Sequence, residues 1–455
     1  MNFLPNIILL LIDSLRYDAI ENSLTNDKSA PTPHLKQFSR KNIVFDQAIS
    51  HGTSTPIAVP PLISSTYTSM YGGPGGLSAH RPTVWSILSA HGYQTAAFFT
   101  NPHISKFRGW DRGFDCAKDY LPDEAYKSSF FVRGLNQVAK RFGRPVHFPR
   151  FLPAGYVVPG INKWLADARE PFFLWVHLMD MHFPYRTEWF SWSGRSRKGD
   201  DVIRKKLVET LSPLSETEAT EIKTRYDCAV SYVDEQIGNI LHNLEQRRLL
   251  ENSMVIIVAD HGEMFGEHQS WYHHNKFYDE LIHVPLLMKL PESMNVPQSQ
   301  KIKQQVRLVD IVPTILDVAN IYPSKASYAP QGRSLLPLIT STNPYDEQPA
   351  IVESWHNQSL CVRWKQWKFI AGPDWHIGEG PPESIRETET RLFNLEHDSR
   401  ENHNCLSEYP ELAAEFKALI KQHLDLVEPH RTFRQEKIEL DDTMIERLRA
   451  LGYVE

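Results

Sequence analysis

Two apolar runs in this sequence end in side chains that bind metals. Asn6-Ile-Ile-Leu-Leu-Leu-Ile12 stops at Asp13, and Met254-Val-Ile-Ile-Val-Ala259 stops at Asp260-His261. Carboxylate oxygens suit hard divalent cations, and a neutral imidazole nitrogen completes a mixed shell. Each residue alone has a plainer reading, Asp13 as a helix cap and His261 as a surface group. Together, two carboxylates and an imidazole delivered to one edge predict a site for one divalent ion. Gly262, next in the chain, lets the backbone turn sharply behind the ligands.

The elements that carry these residues follow from the same runs. A continuously apolar stretch bounded by Pro5 and Asp13 reads as a strand covered on both faces, which implies a parallel sheet. Thr95 to Phe99, Phe172 to His177 and Met254 to Val258 read the same way. Amphipathic helices are expected over Glu216 to Leu244 and over Arg307 to Ala319, with Pro313 near the start of the second. The expected fold is α/β, a large mostly parallel sheet flanked by helices, with ligands at the carboxyl ends of the strands. Ser341-Thr342-Asn343-Pro344 marks a boundary, giving a catalytic domain over 1–340 and a smaller α+β subdomain over 345–455. In the latter, Ala350 to Glu353, Ser359 to Arg363 and Trp367 to Ile370 suggest a short antiparallel sheet, followed by a helix from Glu411 to Leu426.

Composition narrows the classes. With 455 residues, 41% hydrophobic and 23% charged, the chain can bury a substantial core. A net charge of -6 without long charged blocks gives no sign of a nucleic-acid partner. Four widely spaced cysteines favour a reducing compartment. The run Ile7 to Ile12 is too short for a signal peptide, and nothing approaches the about 20 apolar residues of a membrane span. A cytoplasmic location is expected. Residues 127–150 hold Lys127, Arg133, Lys140, Arg141, Arg144 and Arg150 with no acidic residue. This segment reads as a cationic lid, a peripheral membrane contact or a solvated insertion.

Short strings ordered along the chain carry a resemblance. They include Pro5-Asn6 through Asp13, Thr32-Pro33-His34-Leu35, Pro171-Phe-Phe-Leu-Trp-Val-His177, Asp180-Met-His182-Phe-Pro184-Tyr185 and Tyr232-Val-Asp-Glu-Gln-Ile-Gly238. Asp260-His-Gly-Glu263, Val309-Asp-Ile-Val-Pro-Thr314 and Leu448-Arg-Ala-Leu-Gly-Tyr453 complete the set. In these the sequence resembles the sulfatases of the alkaline phosphatase superfamily. The resemblance implies that superfamily's fold and hydrolysis of a sulfate or phosphate ester on a small molecule or glycan.

Departures from the family pattern shape the expected chemistry. The nucleophile motif opens with Cys or Ser, and its register over Thr55-Pro56-Ile-Ala58-Val59-Pro-Pro-Leu62-Ile-Ser64 places Thr55 on the nucleophile, Ala58 on its Ser and Val59 on its Arg. Threonine is a secondary alcohol, so the aldehyde cofactor formylglycine is not expected. A metal-bound Thr55 hydroxyl is expected to attack sulfur or phosphorus instead. Ser54 is a rival nucleophile, and a helix cap is the plainer role for Thr55. The usual pair of aspartates appears as Asp13-Ser14, so the set Asp13, Thr55, Asp260 and His261 resembles the single-metal phosphonate and phosphodiester hydrolases. Which of Ca, Mg, Mn or Zn it holds is left open.

The resemblance also places His182 beside the leaving group as a proton donor, and one of His274, His273 or Lys276 at the substrate anion, with His274 favoured by its spacing from Tyr278. Arg16 is a further cationic candidate, or else a helix-surface residue. Alternatives to the ester hydrolase are a phospho-group transferase and a non-catalytic anion-binding scaffold.

Overall fold

Every side chain of Asn6–Ile12 is buried, the outcome for a strand with apolar residues on both faces. The computed structural model describes residues 4–24, 31–121, 151–185, 200, 202–209, 212–273, 276–297, 299–324, 328–341, 345–354, 359–371 and 389–430. The cationic segment 127–150, His274, the boundary residues 342–344 and the string Leu448 to Tyr453 lie outside them. Strands occur in chain order as β1 (Asn6–Ile12), β2 (Ile43–Ile49), β3 (Gln94–Phe99), β4 (Cys116–Asp119), β5 (Phe172–Leu178), β6 (Ser253–Ala259), β7 (Met264–Phe265), β8 (Trp271–Tyr272), β9 (His283–Lys289) and β10 (Gln300–Arg307). A second set is β11 (Ala350–Glu353), β12 (Leu360–Trp364), β13 (Trp367–Ala371) and β14 (Arg391–Asn394).

Eight strands form one sheet in the order β10, β2, β9, β6, β1, β5, β3, β4. Only β9 runs antiparallel to its neighbours β2 and β6, so the sheet is mostly parallel, as expected. The long helix Glu216–Gln246 begins with a capping box between Ser215 and Glu218 and buries Tyr226, Val230, Val233 and Ile237 on one face. Each such buried side chain contributes about 1.5–3 kcal/mol relative to exposure. No helix among the described residues is long and apolar enough to cross a membrane. All four cysteines are free.

One expected helix begins later than its pattern predicts. Arg307 is the last residue of β10, and helix Ile311–Val318 follows a single 3-10 turn, Leu308–Asp310. The cause is Asp310, whose carboxylate accepts the Arg307 backbone N–H at 3.0 Å and pairs with its guanidinium at 2.8 Å. That side chain supplies the turn with a partner the helix would have provided.

Strands β11 to β14 form an antiparallel sheet. One face packs on helix Pro410–Val427, where Phe369 stacks on Phe416. The other face, with Ala350, Val352, Cys361, Ile370 and Phe393, joins Ile49, Met264, Phe277 and Leu281 in one buried cluster. Lys368, fully buried on β13, pairs with Asp279 and with Glu401 at 2.8 Å. Glu401 also accepts the Asp279 backbone N–H at 2.8 Å. Without the ammonium, the buried Glu401 carboxylate would face Asp279 with only Arg363, 3.7 Å from Asp279, to offset the two charges. Lys368→Met is therefore expected to lower the unfolding free energy by about 3–5 kcal/mol, read from the urea midpoint; a shift too small to measure would show that the ion pair contributes nothing net.

Candidate active site

Register brings the first two carboxylates together. Ile12 at the end of β1 lies opposite Ala259 of β6 and Leu178 of β5, so the residues that follow, Asp13 and Asp260, emerge side by side. Asp13 N donates to Leu178 O at 2.9 Å. Asp260 Oδ1 accepts from Ser14 N at 3.3 Å and from His261 N at 2.9 Å. His261 Nδ1 donates to Gly262 O at 2.8 Å, which fixes the tautomer and leaves the Nε2 lone pair facing the carboxylates. Gly262 is required here, since a Cβ would lie 1.9 Å from Glu280 O.

These three side chains are fully buried, with ligand atoms all within 4.8 Å of one another, and could hold a metal ion. Asp260 Oδ2 makes no hydrogen bond among the described residues. A buried carboxylate oxygen with no donor, next to an imidazole lone pair, is costly in an apolar interior and fits a cation of mixed oxygen and nitrogen preference.

Thr55 completes the cluster from another direction. It is the first residue of helix Thr55–Ser64, reached from β2 through Ser50 to Ser54, and all ten helix residues are buried. Its Oγ1 donates to Asp13 Oδ2 at 2.9 Å and lies 3.4 Å from His261 Nε2. The hydroxyl thus faces the carboxylate rather than capping a backbone N–H, and Ser54 occupies the N-cap position without a capping hydrogen bond. Asn101, two residues beyond β3, donates from Nδ2 to Asp13 Oδ2 at 2.9 Å and to Thr55 Oγ1 at 3.4 Å. Its own Oδ1 accepts from His103 N at 2.8 Å, so the amide is held with its donor inward. His177 Nε2 lies 3.6 Å from Asp13 Oδ2.

A layer of rings covers this centre. His182 Nδ1 donates to Phe183 O at 3.0 Å, so the 2.9 Å contact between its Nε2 and Tyr272 OH has the phenol as donor. The His273 ring lies 4.7 Å from that of His261 and 4.9 Å from that of His182, and its Nδ1 is 3.2 Å from Glu263 Oε1. Glu263 Oε2 accepts from Tyr185 OH at 2.8 Å. Lys276 lies partly buried further along the same loop. Arg16 is engaged elsewhere: its guanidinium pairs with Asp18 and Glu267 and donates to Glu263 O at 2.9 Å. There it braces the turn after His261.

Electrostatics separate the two central carboxylates. Burial pushes Asp13 up, but His182, His261 and His177 outweigh it and hold its pKa below the usual value. Burial raises Asp260 to about 7, against the pull of His261 and with the help of the Asp13 charge. Burial also lowers His177 to about 4, so that ring is neutral near pH 7.

The chain matches the Sulfatase family over residues 5–321, and the C-terminal part of N-sulphoglucosamine sulphohydrolase over residues 266–428. It belongs to the sulfatase family. Arylsulfatase K of Rattus norvegicus is 32% identical over 90% of this chain and 76% of the relative. An ulvan-active sulfatase of Formosa agariphila is 26% identical over 76% and 67%. The phosphonate monoester hydrolase of Agrobacterium radiobacter shares the fold, with a TM-score of 0.70 at 16% identity over 94% of this chain and 96% of that one. This member of the sulfatase family is a hydrolase of sulfuric or phosphoric esters.

Asn101, His103 and Tyr272 are part of the site yet escape a reading of spacing. Asn101 and His103 follow the strand Gln94–Phe99, as Asp13 follows β1, and that position past a buried strand is the signal that points to them. Tyr272 carries a left-handed backbone, φ 69°, which has no signature in its side-chain type. Because a cation displaces the proton from Asp260, apparent affinity for Mn or Zn should climb by up to about tenfold per pH unit below neutrality and level off above it. Calorimetric titration at pH 6 and pH 8 measures this, and Asp260→Asn should abolish the binding.

Proposed function

We propose that this member of the sulfatase family cleaves a sulfate or phosphate ester of a glycan or other small molecule through covalent attack by Thr55. The observation that carries it is the Thr55 hydroxyl, donated to Asp13 Oδ2 at 2.9 Å at the N-terminus of a buried ten-residue helix. Partial positive charge at that terminus favours an anion there. Asp13, Asp260 and His261 would hold a divalent ion beside Thr55, and that ion would lower the hydroxyl pKa and neutralise charge on the oxyanion.

In the first step the Thr55 oxygen, oriented by its hydrogen bond to Asp13 Oδ2, bonds to sulfur or phosphorus, its proton passes to solvent, and the bond to the leaving alcohol breaks. The Asn101 amide points its donor at the attacking oxygen. Tyr272, hydrogen-bonded to His182 Nε2 at 2.9 Å, gives its phenol proton to the departing alkoxide. Water then attacks the covalent ester and gives a proton to the Tyr272 phenolate, the inorganic anion leaves, and the Thr55 oxygen is reprotonated from solvent.

Sulfate is favoured by the relatives, one of which is named for activity on ulvan. Thr55 favours phosphate or phosphonate, because a phosphothreonine can be opened by water at phosphorus. Oxidation of threonine gives a ketone, so formylglycine does not fit position 55.

Activity on nitrophenyl sulfate, nitrophenyl phosphate and bis-nitrophenyl phosphate, each with Ca, Mg, Mn and Zn, identifies the ester. Thr55→Ala should lose roughly a thousandfold or more in kcat while keeping its bound metal. Thr55→Ser should remain active, and the intact mass of the wild type should show no modification at residue 55. Unchanged turnover in Thr55→Ala would remove the nucleophile from this account. Tyr272→Phe should slow alkyl esters by about a hundredfold yet barely affect nitrophenyl esters, whose leaving group needs no proton.

A further inference from the structure

The loop that presents Thr55 is gripped from two sides. On the side of the large sheet, Ser50 N donates to Ile282 O at 2.8 Å and Ser50 Oγ donates to Asp260 O at 2.5 Å. On the other side the partners come from the small sheet. Glu353 N donates to His51 O at 3.0 Å, His51 Nδ1 donates to Ile351 O at 2.6 Å, and Gly52 makes a parallel bridge to Glu353. Gly52 in turn lies against the first turn of the nucleophile helix so closely that a Cβ would sit 2.6 Å from Ala58 N.

The Glu353 side chain extends this grip. It is 1% exposed, and its carboxylate accepts from Ser69 N at 3.1 Å, from the Ser69 hydroxyl, and from His423 Nε2 at 3.0 Å. Ser69 belongs to the turn Thr68–Tyr71, and Thr68 Oγ1 donates to Ile57 O at 2.6 Å. One residue therefore touches the loop before Thr55 through its backbone and the turn behind the nucleophile helix through its side chain. His423 ties the same carboxylate to helix Pro410–Val427. Burial pushes Glu353 up, but His423 and Ser69 outweigh it and keep it ionised near neutrality.

We infer that Glu353 is a positioning residue for Thr55: the small sheet sets the nucleophile's place by holding residues 51–58 between the Glu353 backbone and its carboxylate. The hydrogen bonds of the Glu353 carboxylate go to Ser69 and His423, not to Asp13, Thr55, Asp260 or His261. The inference rests on Thr55 as the nucleophile, and the grip on the loop can be measured separately. Glu353→Gln keeps the size but forces an NH2 group against donors at Ser69 or His423. Phe416→Leu is the control, because it loosens the core beneath the same sheet and can make none of these hydrogen bonds.

Two readouts are taken on metal-loaded protein of known melting temperature: amide hydrogen exchange in the peptide covering residues 50–58, and kcat and KM per metal-loaded site. Glu353→Gln should speed exchange in that peptide and lower kcat roughly tenfold or more with KM changed less than about twofold, since a small displacement of a nucleophile costs rate more than binding. Phe416→Leu should do neither at an equal loss of melting temperature. Unchanged exchange or unchanged kcat in Glu353→Gln, or an equal effect in Phe416→Leu, overturns the inference. Should the wild type cleave no ester, the reading of Thr55 fails, and the exchange result alone decides whether Glu353 holds the loop.

Discussion

The site depends on the register of β1 between β5 and β6. Because all seven β1 residues are buried and six are aliphatic, the apolar pattern alone would tolerate a slip of one position. Polar groups at the base remove that freedom. Asn6 Nδ2 donates to Glu170 Oε2 at 2.7 Å, its Oδ1 accepts from Phe172 N at 3.2 Å, and its backbone N donates to Asn252 O at 2.9 Å. A slipped strand would bury these groups without partners and turn Asp13 away from Asp260. The amide at one end of the strand thus guards the carboxylate at the other.

Above that register the protein holds an arrangement that hydrophobic packing alone would disfavour. Two buried carboxylates converge, and one oxygen of Asp260 has no donor among the described residues. His261, locked by Gly262 O, presents an acceptor to the same space. Such unpaired polarity is usual where a ligand supplies the missing partner. The surrounding groups are arranged to preserve it: Asn101 is held by its neighbour's backbone, and His182 is held by Phe183 O. Asn101 satisfies Asp13 Oδ2, His182 is held by Phe183 O and Tyr272, and neither supplies the donor that Asp260 Oδ2 lacks among the described residues.

Much of this was legible in residue order. The runs that became β1, β5 and β6 announced buried parallel strands, and the residues that follow β1 and β6 announced the carboxylates and imidazole that meet there. Strands β2, β9 and β10 were not legible, because Asp46 and Gln47 interrupt the first, Pro285 the second, and β10 mixes lysine and glutamine with its apolar positions. Periodicity is lost where polar residues mix into a strand or its register shifts, as in β10 between Ile302 and Gln305. Within the site, Thr55 was reachable through a motif register, whereas Asn101 was not, since 88 residues and no shared pattern separate it from Asp13. Arg16 illustrates the opposite limit: proximity in sequence to Asp13 suggested a substrate cation, and Asp18 and Glu267 claim its charge. The domain boundary read from residues 341–344 says nothing of the buried cluster that joins the two sheets, because contacts of this range leave no trace in local composition.

His51 and Ile351, which share a hydrogen bond, stand 300 residues apart. A ribosome therefore delivers Thr55 long before the β11 residues that hold the loop ahead of it. In the growing chain the large sheet can gather its strands while the segment ahead of Thr55 still lacks one of its two walls, and only after β11 has emerged can that segment settle. Contacts so distant in sequence form late and slowly. The placing of Thr55 in this fold consequently waits on residues about 300 positions downstream.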